Sequence, residues 1–179
     1  MSDVKKILIA GFGGQGVLLI GQMLSYAAMY EDKEVTWMPS YGPEMRGGVA
    51  NCTVNISSSP IASPVVTKDF DVLIVMNGPS LEKFEKDLKP GGDLFINTSI
   101  VDIEPTRSDI NIYRVDCNEV AESKIGNSKT ANMVMLGAII RKTNVVGLEI
   151  MEKVFNKVFT GKKAKLIPAN LQALEAWDE

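Results

Sequence analysis

Residues 6–24 read KILIAGFGGQGVLLIGQML. The apolar run Ile7-Leu8-Ile9-Ala10 has the length and composition of a buried strand. Gly11-Phe12-Gly13-Gly14-Gln15-Gly16 then interrupts it, and from Gly14 to Tyr30 the apolar residues Val17, Leu18, Leu19, Ile20, Met23, Leu24, Ala27 and Ala28 recur at helical spacing on more than one face. A strand, a glycine turn and a helix in immediate succession let backbone N–H groups at a helix N-terminus face a phosphate. Gly11, Gly13 and Gly16 fill the GxGxxG positions, Gly14 adds a fourth glycine, and the amide of Gln15 can hydrogen-bond a ligand or a partner's backbone. The alternative is that the glycines only let the first helix pack tightly on the sheet.

Outward from this stretch the chain keeps alternating. Val35–Met38, Val49–Ile56, Asp71–Met76, Leu94–Asn97 and Ile110–Val115 have strand patterns. Pro79–Leu88 reads as a short amphipathic helix stopped by Lys89-Pro90-Gly91-Gly92, and Ala131–Arg141, Gly147–Phe159 and Ala169–Trp177 are helical in period. The pattern predicts one domain over residues 1–179: an α/β, three-layer Rossmann-like sandwich with a mostly parallel sheet. No helix-length segment separates Val35–Met38 from Val49–Ile56, so irregular topology is expected around residues 39–65. Ser57–Pro64 reads as a surface loop.

Composition excludes whole classes of chemistry. The 179 residues include no histidine, so neither an imidazole base nor a histidine metal site can form from this chain. The two cysteines, Cys52 and Cys117, lie far apart without CxxC spacing, which argues against a zinc or iron–sulfur site. Ala50, Cys52, Val54 and Ile56 share one strand face, so Cys52 reads as a buried structural thiol. The net charge is −3 without a basic stripe, which argues against nucleic acid or an anionic membrane as partner. No apolar run is long enough to span a bilayer, and Met1–Lys6 has no signal-peptide pattern, so a cytoplasmic location is expected.

A dinucleotide fingerprint also needs an acid at the end of the second strand to hold the ribose. That place is taken by Thr36-Trp37-Met38-Pro39-Ser40; Glu34 comes too early and Glu44 too late. A stand-alone NAD-dependent dehydrogenase is therefore disfavoured.

Two further stretches stand out. Ser40-Tyr41-Gly42-Pro43-Glu44-Met45-Arg46-Gly47-Gly48 follows the second strand, so its start falls at the same carboxyl edge as GFGGQG, and Arg46 is the best anion-binding candidate in the chain. Its plain alternative is a surface loop with a Glu44–Arg46 ion pair. Gly126–Gly137, GNSKTANMVMLG, places a polar cap before a buried helix, where Lys129 and Asn132 reach a ligand at the sheet edge or serve as a solvated lysine and a capping residue. Met133 and Met135 read as core.

GFGGQGVLLIGQML, SYGPEMRGG and NCTV, in this order and spacing, resemble the gamma subunit of 2-oxoacid:ferredoxin oxidoreductases, nearest to the 2-oxoglutarate or 2-oxoisovalerate type. The resemblance covers nearly the whole chain. It implies a non-redox subunit of an enzyme that converts a 2-oxo acid, coenzyme A and oxidised ferredoxin to acyl-CoA, carbon dioxide and reduced ferredoxin. Thiamine diphosphate and iron–sulfur clusters would sit in partner subunits: alpha and beta thiamine-binding subunits and a ferredoxin-like subunit. On this reading Gly11, Gly13, Gly14, Gln15, Gly16, Arg46, Lys129 and Asn132 form a coenzyme A approach, and Ser40–Gly48 press against the thiamine-binding subunits. A pure assembly module without a ligand is the competing class. Apolar interface surface left bare would favour a homodimer of the isolated chain.

Overall fold

The computed structural model describes residues 4–40 and 49–178. Six strands form one sheet in the order β2-β3-β1-β4-β5-β6, where β1 is Lys5–Phe12, β2 Glu34–Ser40, β3 Val49–Ser57, β4 Phe70–Val75, β5 Leu88–Asn97 and β6 Asn111–Val115. β1, β4, β5 and β6 pair in parallel. The irregularity expected near residue 50 is β3, which runs antiparallel to both β1 and β2. Two strands antiparallel to a common neighbour share a direction, so β1 and β2 end at the same sheet edge. The pairing shows it: Phe12 faces Val49, and Ser40 faces Asn51.

Period-two alternation sorts the strand residues onto two faces. Ile7, Ile9, Cys52, Val54, Val72, Ile74 and Phe95 pack beneath α1 (Val17–Tyr30), α4 (Ala131–Thr143), α5 (Met151–Val158) and α6 (Ile167–Glu175). Leu8, Leu73, Val75, Leu94 and Ile96 pack on the other side with Leu81 of α2 (Gly78–Phe84). Because β1 and β4 are covered on both faces, they are continuous apolar runs and not alternating ones.

α4 lies close to α6: a methyl group on Gly137 would come within 2.7 Å of the Leu174 carbonyl carbon. The C-terminal end of α6 is held by Arg141, which donates to the carbonyls of Leu174 at 2.9 Å and Trp177 at 2.6 Å, and by Lys124, which donates to Ala176 at 2.6 Å. Cationic donors at a helix C-terminus satisfy its unpaired carbonyls and complement its dipole.

Several boundaries differ from the sequence reading. α1 starts at Val17, not Gly14, because Gly14 and Gly16 hold φ of 92° and 76°, outside the helical region. The helix expected over Pro79–Leu88 ends at Phe84, followed by a 3-10 turn at Glu85–Asp87. Lys89–Gly92 does not stop a helix but belongs to β5, which begins at Leu88 because that buried side chain pairs with Phe70. The extra residues are absorbed by a register shift between Phe70 and Val72, with Gly91 at φ 71° bonded to the Asp109 carbonyl at 2.7 Å. The helix expected from Gly147 starts at Met151, the Gly147 N–H being taken by Glu31 at 2.5 Å. α3 (Cys117–Val120), continued by a π-helical turn at Ala121–Ile125, was not anticipated. Its signal was Asp116 ahead of apolar Cys117, Val120 and Ala121 at helical spacing. No described helix is long and apolar enough to cross a membrane.

Candidate functional site

β1 and β4 are neighbours, yet the chain leaves β1 toward β3 and β2 and leaves β4 toward β5 and β6. A crevice opens where the connections diverge, and this is where open α/β sheets take ligands. A cleft of about 160 Å³ lies there. Gly14, Gln15 and Gly16 form one wall, Met76 follows β4, Asn97 ends β5, and Asn118 stands in α3. Ser128, Lys129, Ala131 and Asn132 close it at the start of α4.

The glycine turn is built from inside. The Gln15 side chain accepts from the Phe12 N–H at 2.7 Å and donates to the Met76 carbonyl at 2.8 Å, tying the end of β1 to the end of β4. Its amide is therefore a brace for the loop before it is a ligand group, although one N–H remains unspent. Gly11 is enclosed as well: a side chain there would meet Gln15, Met76 and Val17 at 2.7–2.9 Å, so close packing accounts for this glycine. Gly14 and Gly16 carry the left-handed turns that swing the chain into α1. Gly16 is also pressed against Asn132, whose Cγ would lie 2.8 Å from any added methyl.

Asn132 is 8% exposed, and its amide has no hydrogen-bond partner among the described residues. The amide opens on the cleft, so its bonding capacity is available to a ligand there. Lys129 is exposed on the same rim, in a 3-10 turn held by Asn127, whose side chain accepts from the Lys129 N–H at 3.2 Å and whose carbonyl accepts from the Thr130 hydroxyl at 2.8 Å. On the far wall Asn97 donates to Asn118 at 3.0 Å, and the Ser99 hydroxyl accepts from the Asn118 and Glu119 N–H groups. α1 begins just after Gly16 on one wall of the cleft, and α4 begins on the other at Ala131, whose N–H is taken by the Ser128 carbonyl of the preceding 3-10 turn. Among the described residues the lining of the cleft offers amides, a hydroxyl and one ammonium, and no carboxylate. Such a set is chemically suited to an anion or a polar chain.

Of the residues singled out in the sequence, Gly14, Gln15, Gly16, Lys129 and Asn132 thus line one cleft; Gly11 and Gly13 are not on its wall. Arg46 and all of Tyr41, Gly42, Pro43, Glu44, Met45, Gly47 and Gly48 lie outside the described residues. Ser40 is exposed at the end of β2, and the pairing of Ser40 and Val49 puts both ends of the 41–48 segment at the edge where GFGGQG ends. Asn97, Asn118, Ser128 and Met76 were not foreseen as site residues; only their positions just after strands or before helices hinted at the edge.

Neither thiol is poised to react. Cys52 is fully buried, donating weakly to the Val17 carbonyl at 3.6 Å, and burial pushes its thiol up to about 12. Burial raises Cys117 likewise. The structural reading of Cys52 holds.

The model of the family described as pyruvate ferredoxin/flavodoxin oxidoreductase matches residues 6–176. The chain is 36% identical over 178 residues to the 2-oxoglutarate synthase subunit KorC of Methanocaldococcus jannaschii, covering 98% of this chain and 95% of that one. Its fold superposes with a TM-score of 0.82 on the keto/oxoacid ferredoxin oxidoreductase gamma subunit of Geobacter sulfurreducens, at 29% identity over 96% of this chain and 95% of the other. The 2-oxoglutarate:ferredoxin oxidoreductase of Magnetococcus marinus, solved with 2-oxoglutarate, coenzyme A and succinyl-CoA bound, gives a TM-score of 0.86 at 25% identity, covering 98% of this chain but 30% of that longer one. The chain therefore belongs to the pyruvate ferredoxin/flavodoxin oxidoreductase family, as a gamma subunit of 2-oxoacid:ferredoxin oxidoreductases.

Proposed function

We propose that this subunit contributes the approach for coenzyme A in a complex that oxidises a 2-oxo acid, and that the phosphate-bearing part of coenzyme A enters the cleft at Gly14–Gly16. The Asn132 amide, which lines the cleft beside Gly16 and makes no hydrogen bond to a described residue, is the observation that carries this reading. The helix start after Gly16, with Lys129, supplies positive potential for phosphate, and no carboxylate stands among the described lining residues. The name of the Methanocaldococcus relative supports 2-oxoglutarate as the oxo acid. Coenzyme A is present in the Magnetococcus structure, which shares this fold.

Thiamine diphosphate and iron–sulfur clusters belong on partner subunits in this scheme, supplying the electron sink and the electron path. This chain's own residues bind and orient: Gln15 keeps the turn open, Gly16 admits Asn132, and Lys129 screens phosphate charge. The enzyme would work in the cytoplasm.

Replacing Lys129 or Asn132 by alanine in the assembled enzyme removes one hydrogen bond to phosphate, about 1–2 kcal/mol, which raises KM for coenzyme A roughly 5- to 30-fold at unchanged kcat. An unchanged KM in an intact complex refutes the ligand role. It would favour the second reading, a purely architectural subunit, for which the internal bonds of Gln15 and the filled space around Gly11 speak.

A further inference from the structure

β2 is the outermost strand on its side, paired with β3 and with no other described strand. Its free side therefore presents unpaired backbone N–H and C=O groups. The other outer strand, β6, is shorter and guarded by charge: Arg114 pairs with Glu104, and the Lys142 ammonium stands 5.6 Å over the Tyr113 ring. β2 lacks such protection. It carries Trp37 and Met38, 37% and 40% exposed, and a charge only at Glu34, where it begins. Beside it Met29 of α1 is 56% exposed. These three are half of the six large apolar side chains exposed among the described residues.

A groove of about 330 Å³ runs between α1 and this strand, walled by Gln22, Ser25, Tyr26 and Met29 on one side and Val35 and Trp37 on the other. Val35 and Trp37 are two apart and share a face, so a strand laid along β2 would seat alternate side chains in the groove. An open ladder beside an apolar slot is the arrangement by which sheets accept an extended segment from another chain.

We propose that an extended segment of a thiamine-binding partner subunit adds to the free edge of β2 as a seventh strand, its alternate side chains filling the groove between α1 and β2. The inference rests on the chain acting as a subunit. In the Magnetococcus protein the matching region is 30% of a longer chain, so there the same fold is built beside further polypeptide. β2 also leads directly into residues 41–48, the segment read from sequence as pressing on those subunits. Pro39 argues against a second copy of this chain. It has no N–H to give, and edge strands tolerate it for that reason. Two copies of β2 would bring two prolines into the shared ladder, whereas a proline-free partner segment meets only one.

The chain has two tryptophans, Trp37 on the edge and Trp177, 5% exposed, so 5-fluorotryptophan labels the edge and an internal control. Adding unlabelled thiamine-binding subunits should shift the Trp37 fluorine resonance and abolish its sensitivity to D2O, leaving Trp177 unmoved. Met29→Glu, on the helical wall of the groove, should weaken assembly at least tenfold with an unchanged Tm. Val65→Glu, at a separate exposed apolar site, should change it less than twofold. A complex that forms with Trp37 unmoved, or with Met29→Glu binding as the native chain does, overturns this inference alone. Concentration-dependent dimers of the free chain that move Trp37 make a second copy the occupant and also overturn it. A chain that binds no thiamine subunit overturns the subunit reading and this inference together.

Discussion

Gly16→Ala tests the contact on which the candidate cleft depends. Gly16 sits at φ 76° and ψ 19°, where an L-residue loses about 1–2 kcal/mol. The new methyl would also lie 2.8 Å from Asn132 Cγ and 3.1 Å from its Cβ, so the Asn132 side chain must leave a place in which it is almost fully buried. Displacing a packed side chain adds about 1–3 kcal/mol. The total, about 2–5 kcal/mol, lowers Tm by roughly 5–15 °C for a chain of this length. Gly14→Ala is the internal control: at φ 92° it has the same backbone difficulty, yet an added methyl meets nothing within 4 Å. It should cost only the backbone part, about 1–2 kcal/mol. Adding Asn132→Ala to Gly16→Ala removes the crowded amide and should bring that variant back to the level of Gly14→Ala, a coupling of about 1–3 kcal/mol in a double-mutant cycle. Urea unfolding followed by fluorescence gives all four values. Equal losses for Gly14→Ala and Gly16→Ala, or no relief from Asn132→Ala, would show that Asn132 does not press on the turn.

Two other expectations can be measured on the free chain. Burial moves the Cys52 thiol from about 9 to about 12, which favours its neutral form in the fold. The stability it contributes is complete below pH 9 and is lost as pH rises from 9 toward 12, so the native chain should lose stability between pH 9 and 11 more steeply than Cys52→Ala; parallel curves would refute the cause. Gly137→Ala drives a methyl into the backbone of α6 at Leu174, which should cost about 2–3 kcal/mol or more and lower Tm by at least about 5 °C. An unchanged Tm would mean that α4 and α6 do not approach as described.

The cleft was only partly legible beforehand. Gln15 invited a binding role because an amide is an unusual choice for a packing turn, yet the fold engages it first with Phe12 and Met76. Met76 is 61 residues away in sequence, and no local pattern announces that partner. Asn132 was expected at the sheet edge from its place at the start of a buried helix, but its contact with Gly16 depends on how α4 docks against α1. Asn97 and Asn118 belong to the same wall for a similar reason: the bond between them spans β5 and α3.

Local spacing determined a good deal. The apolar run, the glycine turn and the helix that follows set β1 and α1, because strand and helix periods are properties of neighbouring residues. The missing histidine and the unpaired cysteines likewise limited the chemistry before any fold was known. Tertiary structure alone decided where β5 begins, since Leu88 joins the strand through Phe70 against the local message of Pro90, Gly91 and Gly92. It alone decided that β3 separates β2 from β1, leaving β2 with an open edge. Those outcomes follow from strand pairing and burial between distant segments, energies that no short window of sequence contains.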